Sequence, residues 1–268
     1  MNFTHGQIKI SVIVPTFNSQ MFVGYALMSL VRQVDEIVVV DMMSTDNTLK
    51  IIGAISDSKI QVFVLKDLVG YEEDCSLDSS IRCGLKLASG NVIMRSDDDW
   101  IWGSEVKNLR HHCTQGLQKG KRGLRGNVYN LITTRKYFLP LWECYVAIFK
   151  QDNDPLMHFG SYRTDNSIIC HKSEVKRSSN RKFTLFKRSR YLETPISFGH
   201  WKFLKDNREQ FLYKWKLFTG CSEKEALTWW EHYHKQPTVN CPHNLLQPLY
   251  EYRDKFVPLG GFDITKGG

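Results

Sequence analysis

The sequence predicts an α/β fold, with a mostly parallel central sheet flanked by helices and a helical extension at the C-terminal end. Three observations carry that prediction. Short β-branched apolar runs alternate with stretches of helical periodicity through residues 8–94. The runs are apolar at consecutive positions, as in strands covered on both faces. Each run closes in polar or turn-forming residues, where a strand leaves its sheet.

Taken in order, IKISVIVPTFN (8–18) reads as a buried strand entering a loop at Pro15 and Asn18. SQMFVGYALMSLVRQ follows, with Phe22, Ala26 and Leu30 spaced along one helical face. EIVVVD (36–41) is a second strand, stopped by the turn-rich STDN, and TLKIIGAI (48–55) is a short helix capped by Asp46 or Asn47. IQVFVL (60–65) is a third strand. CSLDSSIRCGLKLASG then aligns Leu77, Ile81, Leu85 and Ala88 on a helix predicted to end at Gly90. NVIM (91–94) is a fourth strand, and it leads into Asp97, Asp98 and Asp99.

Strand alternating with helix implies parallel strands joined by crossovers, and in such sheets ligands sit beyond the carboxyl ends of the strands. Three of those ends carry distinctive groups: Pro15-Thr16-Phe17, Asp41, and Asp97-Asp98-Asp99. Three adjacent carboxylates repel one another unless a cation or water screens them. They read either as a solvated turn or as hard oxygen ligands for Mg²⁺ or Mn²⁺, and a divalent ion so held can neutralise a diphosphate leaving group. Asp41 is an acceptor for base N–H or ribose hydroxyl groups, and Phe17 offers a face for stacking a base. These residue types point to a nucleotide diphosphate.

SVIVPTFN, EIVVVDMMSTDNT and GLKLASGNVIMRSDDDW, in that order and spacing, resemble the family 2 glycosyltransferases, whose catalytic domain has the Rossmann-like GT-A fold. The resemblance covers about the first hundred residues. It implies a nucleotide-sugar donor, a divalent metal, and transfer with inversion to a hydroxyl acceptor of a glycan, lipid-linked sugar or protein. Carried over by residue, Pro15, Thr16, Phe17 and Asp41 would line the nucleoside. Asp97 would lie near the ribose and sugar, Asp98 at the variable middle position, and Asp99 at the metal. On this reading residues 1–102 are the nucleotide-sugar-binding half of a single catalytic domain, 103–200 the acceptor-binding half, and 201–268 a helical and aromatic extension. Several residues depart from the family pattern. Met42 and Met43 follow Asp41 where small or polar residues are usual, Arg82 replaces a common Asn, and Arg95 and Ser96 interrupt the strand before the aspartates. An Arg beside three carboxylates is also able to form a structural ion pair without any metal.

Beyond residue 103 the resemblance thins. NVYNLITTRKYF, WECYVAIFK and SIICHKSEVKR read as further strands. An inverting enzyme needs a carboxylate to deprotonate the acceptor; Glu193 is the first candidate and Asp165 the second, ahead of Asp152 and Asp154. His200 reads either as a core histidine or as a further metal ligand, a role some relatives give a C-terminal histidine. In HWKFLKDNREQFLYKWKLF, Trp201, Leu204, Phe211, Trp215 and Phe218 recur at helical spacing among lysines. The segment reads as a helix packed on the sheet or as an interfacial helix in peripheral contact with an anionic membrane.

Composition sets outer bounds. Hydrophobic residues make up 42% and charged residues 24% of 268 positions, ordinary for a folded protein. The net charge of +8 suits phosphorylated substrates, anionic surfaces or nucleic acid and does not choose among them; the motifs give no reason to expect nucleic acid. The seven cysteines contain no C-x-x-C pair, so reduced thiols are expected rather than a zinc site or a disulfide framework. No apolar run approaches the ~20 residues of a membrane span, and the first residues lack a signal-peptide pattern, so a cytoplasmic protein is expected. The turn after the first strand lacks the glycines and basic residues of a nucleotidylyltransferase and the G-x-G-x-x-G of a dinucleotide-dependent oxidoreductase. A catalytically silent nucleotide- or anionic-polymer-binding protein on the same fold is the alternative.

Overall fold

The computed structural model describes residues 8–67, 76–133, 135–139, 142–161, 164–172, 190–204, 207–241 and 247–264. β1 (Ile10–Thr16) and β2 (Glu36–Asp41) are buried along their whole length, which is why both read as continuous apolar runs. Between them α1 (Val23–Leu30) turns Phe22, Ala26, Leu27 and Leu30 into the core. α2 (Thr48–Ile55) and β3 (Ile60–Val64) follow at the expected positions. Asp46 rather than Asn47 holds the start of α2, because its Oδ1 accepts the Thr48 N–H at 2.9 Å.

α3 (Leu77–Leu87) is capped by Ser76, whose Oγ accepts the Ser79 N–H at 3.2 Å. It stops short of Gly90, contrary to expectation. Gly90 instead lets the chain pass close to β1: a Cβ there would lie 2.5 Å from the Lys9 carbonyl oxygen. β4 (Val92–Arg95) then pairs with β1.

The four strands are mutually parallel in the order β4-β1-β2-β3. The chain winds outward from β1 to β3 and returns to the other side of β1. The order therefore reverses between β1 and β4, and a crevice opens there at the carboxyl ends.

The second half extends the same sheet with mixed pairing. β5 (Trp100–Trp102) and α4 (Leu109–Gln118) lead to the long β6 (Gly123–Thr133), which hairpins into β7 (Lys136–Phe138); the stretch 127–138 is thus two strands rather than one. β8 (Trp142–Phe149) lies antiparallel between β4 and β6. β9 (Leu156–Ser161) and β10 (Thr164–His171) form a separate hairpin. β11 (Tyr191–His200) runs parallel to β6 and antiparallel to β5, with His200 opposite Trp100, so the end of β11 lies beside the chain that follows the aspartates.

The C-terminal extension contains α5 (Arg208–Thr219), α6 (Glu223–His234), β12 (Thr238–Asn240) and α7 (Arg253–Phe256). The aromatic stripe is not one helix, since Trp201–Phe203 form a single 3₁₀ turn before α5 begins. Its members Trp201, Leu204 and Phe211 are buried, and Phe211 packs with Ile132, Phe138 and Trp230. Trp201, Leu204 and Phe211 thus pack inward, as the first of the two readings had it; Trp215 is partly buried against the Phe211 cluster, and the Phe218 side chain lies outside the described residues. Cys83, Cys113, Cys144, Cys221 and Cys241 are free, and burial pushes the Cys113, Cys144 and Cys241 thiols up to about 12. No described helix is long and apolar enough to cross a membrane. The architecture is that of a GT-A fold with a C-terminal helical extension.

Candidate active site

At the crevice the ends of β1, β2 and β4 are tied together by side chains. Asp98 is the knot. Its Oδ2 accepts the Thr16 hydroxyl at 2.8 Å and the Phe17 N–H at 3.1 Å, and the Lys214 ammonium of α5 lies 3.7 Å away. Only 7% of Asp98 is exposed. At β2, the fully buried Asp41 accepts the Ser44 N–H at 2.9 Å and the Ser44 hydroxyl at 2.5 Å, which closes the turn containing Met42 and Met43. Ser44 in turn accepts the Asn18 N–H, and Asn18 Oδ1 accepts the Thr45 N–H at 2.7 Å, joining the loops after β1 and β2.

The three aspartates point to three different partners. Asp97 receives a two-pronged contact from Arg95, Nε to Oδ1 at 2.8 Å and Nη2 to Oδ2 at 2.9 Å. Asp98 faces Lys214. Asp99 Oδ2 lies 3.5 Å from His200 Nε2. The repulsion expected of adjacent carboxylates is relieved by partners from the chain itself, the Arg95 and Lys214 cations and the His200 ring, the last two from residues beyond 199. Burial pushes the Asp98 carboxyl up, with the Asp99 charge adding to it and Lys214 opposing. Burial also acts on Asp99, but His200, Lys214 and Lys202 outweigh it and hold that carboxyl below the usual range.

Asp99 and His200 have the chemistry to hold a divalent ion. His200 Nδ1 is 3.2 Å from Asn130 Oδ1, an acceptor that fixes the ring and turns Nε2 toward Asp99. Carboxylate and imidazole together suit Mn²⁺ or Mg²⁺. Among the described residues no group of three His, Cys, Asp or Glu side chains surrounds such a point, so phosphate and water oxygens would complete the shell.

The remaining expected residues divide. Pro15, Thr16, Phe17, Asp41, Asp97, Asp98, Asp99 and His200 gather at one rim. Glu193 does not join them. It pairs with Arg125 at 2.7 Å near the start of β11, and His200 ends that strand. At about 3.3 Å per residue the two stand on the order of 20 Å apart. Asp152 and Asp154 follow β8, whose last residue, Phe149, pairs with the first of β4, so they sit at the opposite edge of the sheet; Asp154 is held by Arg122 at 2.7 Å. Asp165 lies in β10, and its side chain is outside the described residues.

Sequence reasoning missed a second face of α5. Gln210, Tyr213 and Lys214 recur three and four residues apart and line the loop after β1. That spacing was visible, but the aromatic stripe on the neighbouring face carried the stronger signal.

Residues 11–108 match the model of glycosyl transferase family 2. This part of the chain is a family 2 glycosyltransferase domain. The matched segment contains β1 to β5 and all three aspartates, and stops before α4. Among solved structures the chain is similar to S. aureus TarS 1-349 at 25% identity, over 46% of this chain and 36% of that one, with a TM-score of 0.36. It is also similar to glucosyl-3-phosphoglycerate synthase from Mycobacterium tuberculosis at 21% identity, over 49% of each chain, with a TM-score of 0.37. The similarity thus spans between a third and a half of the length of these proteins. Comparison with curated proteins returns no match.

Proposed function

We propose that the chain transfers a sugar, with inversion, from a nucleotide-diphosphate donor to a hydroxyl of a glycan, lipid-linked or protein acceptor. The observation that carries the reading is the Thr16–Asp98 hydrogen bond at the point where strand order reverses, inside a family 2 glycosyltransferase domain. It brings the nucleoside-facing loop after β1 and the acidic turn after β4 onto one crevice, the place where open α/β sheets bind ligands.

In this reading Phe17 stacks the base and the loops after β1 and β2 hold the nucleoside. Asp99 and His200 hold Mn²⁺ or Mg²⁺, with Asn130 orienting the imidazole. A divalent ion there supplies positive charge for the departing diphosphate. Lys202 and Lys214 add fixed positive charge to the same end of the crevice. Asp97, gripped by Arg95, offers its remaining lone pairs to ribose or sugar hydroxyls. The second half of the sheet, from β6 to β11, forms the acceptor side.

Calorimetric titration of UDP, and separately of GDP, tests the reading. Binding in Mn²⁺ that disappears with EDTA and in Asp99→Ala is expected, together with turnover of a sugar nucleotide. Normal donor turnover by a folded Asp99→Ala protein would overturn it. The ion pairs Arg95–Asp97 and Lys214–Asp98 favour a second reading, a nucleotide-binding protein without transferase activity, in which the acidic turn is neutralised by the chain. Saturable nucleotide binding with neither transfer nor hydrolysis would select that reading.

A further inference from the structure

We infer that Tyr213 of α5 is a base-binding residue, and that Tyr213 and Phe17 form a two-sided slot for the donor's nucleobase. The inference rests on the nucleotide-donor reading above and adds to it a residue far outside the matched segment 11–108.

α5 is gripped on two faces. Phe211 and Trp215 turn inward, and Phe211 meets Trp230 at 5.0 Å between ring centroids. The adjacent face lies along the loop after β1. There Gln210 Nε2 donates to the Asn18 carbonyl oxygen, and Lys214 reaches Asp98 at 3.7 Å. Tyr213 sits between these two anchors, so its backbone is held in place while its side chain stays 51% exposed.

The ring spacing is the central observation. Phe17 and Tyr213 face each other at 6.4 Å with 21° between planes. Among the near-parallel pairs of the described residues, Trp100 and Phe198 stack at 4.1 Å and 15°, Phe211 and Trp215 at 5.0 Å and 21°, and the buried Tyr25 and Trp201 at 6.1 Å and 28°. The Phe17–Tyr213 pair is the widest of these and, unlike Tyr25 and Trp201, has an exposed ring. Stacked bases are separated by about 3.4 Å, so a base between two rings holds them about 7 Å apart. The Phe17–Tyr213 centroid spacing of 6.4 Å is somewhat below that value, so the exposed Tyr213 ring must swing outward to admit a base. The neighbouring groups run in the order a nucleotide requires. Tyr213 stands at the base end, and the next residue, Lys214, brings its ammonium to the acidic turn where the diphosphate would lie. Gln210 Oε1, buried beside the loop, accepts no hydrogen bond among the described residues and is a further polar atom near the slot.

The test compares the affinities of UDP, GDP and inorganic pyrophosphate for the full chain and for Tyr213→Ala and Tyr213→Phe, with Mg²⁺ present. Loss of one stacking face is expected to weaken UDP and GDP about tenfold in Tyr213→Ala. Pyrophosphate, which has no base, should bind all three proteins equally, and Tyr213→Phe should bind nucleotides like the unaltered chain. Equal nucleotide affinity in Tyr213→Ala overturns the slot alone. A parallel loss of pyrophosphate affinity overturns it too, because the effect would then lie in the position of α5. Failure of the unaltered chain to bind any of the three ligands overturns the donor reading itself, and the slot with it.

Discussion

Met43 has φ of +63°, the left-handed region that a side chain with a Cβ resists. It stands in the turn closed by Asp41 and Ser44, one residue after the buried Met42, and is itself 42% exposed. The conformation is imposed from both sides, by burial of Met42 and by the hydrogen bonds to Asp41. Replacing Met43 with Gly should therefore raise stability by up to about 1 kcal/mol, the left-handed strain removed exceeding the extra backbone entropy that glycine loses on folding. Chemical denaturation of the two proteins checks this, and an unchanged or lower midpoint would refute it. The companion test is Asp99→Ala, which is expected to abolish metal-dependent nucleotide binding while leaving the fold intact. At this scale the sequence was informative about residue type and uninformative about pairing. Arg95 and Asp97 are two positions apart and their ion pair was one of the readings; Lys214 lies more than a hundred residues from the aspartates with no spacing rule to connect it, and His200 was linked to them by the family resemblance alone.

Elements are joined at the other end of the sheet by a buried carboxylate. Glu36, first residue of β2, accepts the Ser11 hydroxyl of β1, and the N–H and hydroxyl of Ser89 after α3, both at 2.9 Å. Burial alone would raise its pKa, but these hydrogen bonds and the charge of Lys9 more than offset it, and the net direction is down. A depressed folded-state pKa makes a stabilising contribution that is complete above the unfolded-state value of about 4.3 and is lost as pH falls through the lower folded-state value. Thermal unfolding of Glu36→Gln should accordingly show a lower midpoint near neutrality and a shallower decline below about pH 4.3 than the unaltered chain. Parallel pH profiles would remove Glu36 from the account. The strands and helices themselves were legible almost residue by residue through β4, because buried parallel strands and amphipathic helices have short-range signatures. The legibility failed where a glycine had two uses. Gly90 looked like a helix stop and serves instead as a point of close backbone approach.

Across the whole molecule, the C-terminal extension is part of the body rather than an appendage. Tyr25 of α1 packs edge-on against Phe256 at 5.2 Å, and its hydroxyl donates to the Phe262 carbonyl oxygen at 2.8 Å. Phe22, Trp201 and Phe262 close the same cluster. Tyr25→Phe keeps the ring and removes one buried hydrogen bond, and should cost about 1 kcal/mol. If the extension folds with the sheet, the loss will appear in a single cooperative transition. A separate early transition would mean that the two parts unfold independently. The same cooperation positions the site, since α5 reaches the β1 loop only because Phe211 is seated on β6, β7 and α6.

By itself, the sequence determined that β1 to β4 form a parallel α/β sheet and that Thr16, Asp41 and Asp97 to Asp99 lie at its carboxyl rim. Those facts follow from periodicity and strand ends, which are properties of contiguous segments. Tertiary structure alone decided what those residues face. It gave Asp98 to Thr16 and Lys214, turned His200 toward Asp99, left Glu193 with Arg125 at the start of β11, and stood Tyr213 opposite Phe17. These contacts arise from where separate elements pack, and packing is settled by the whole core at once rather than by any stretch of residues read alone.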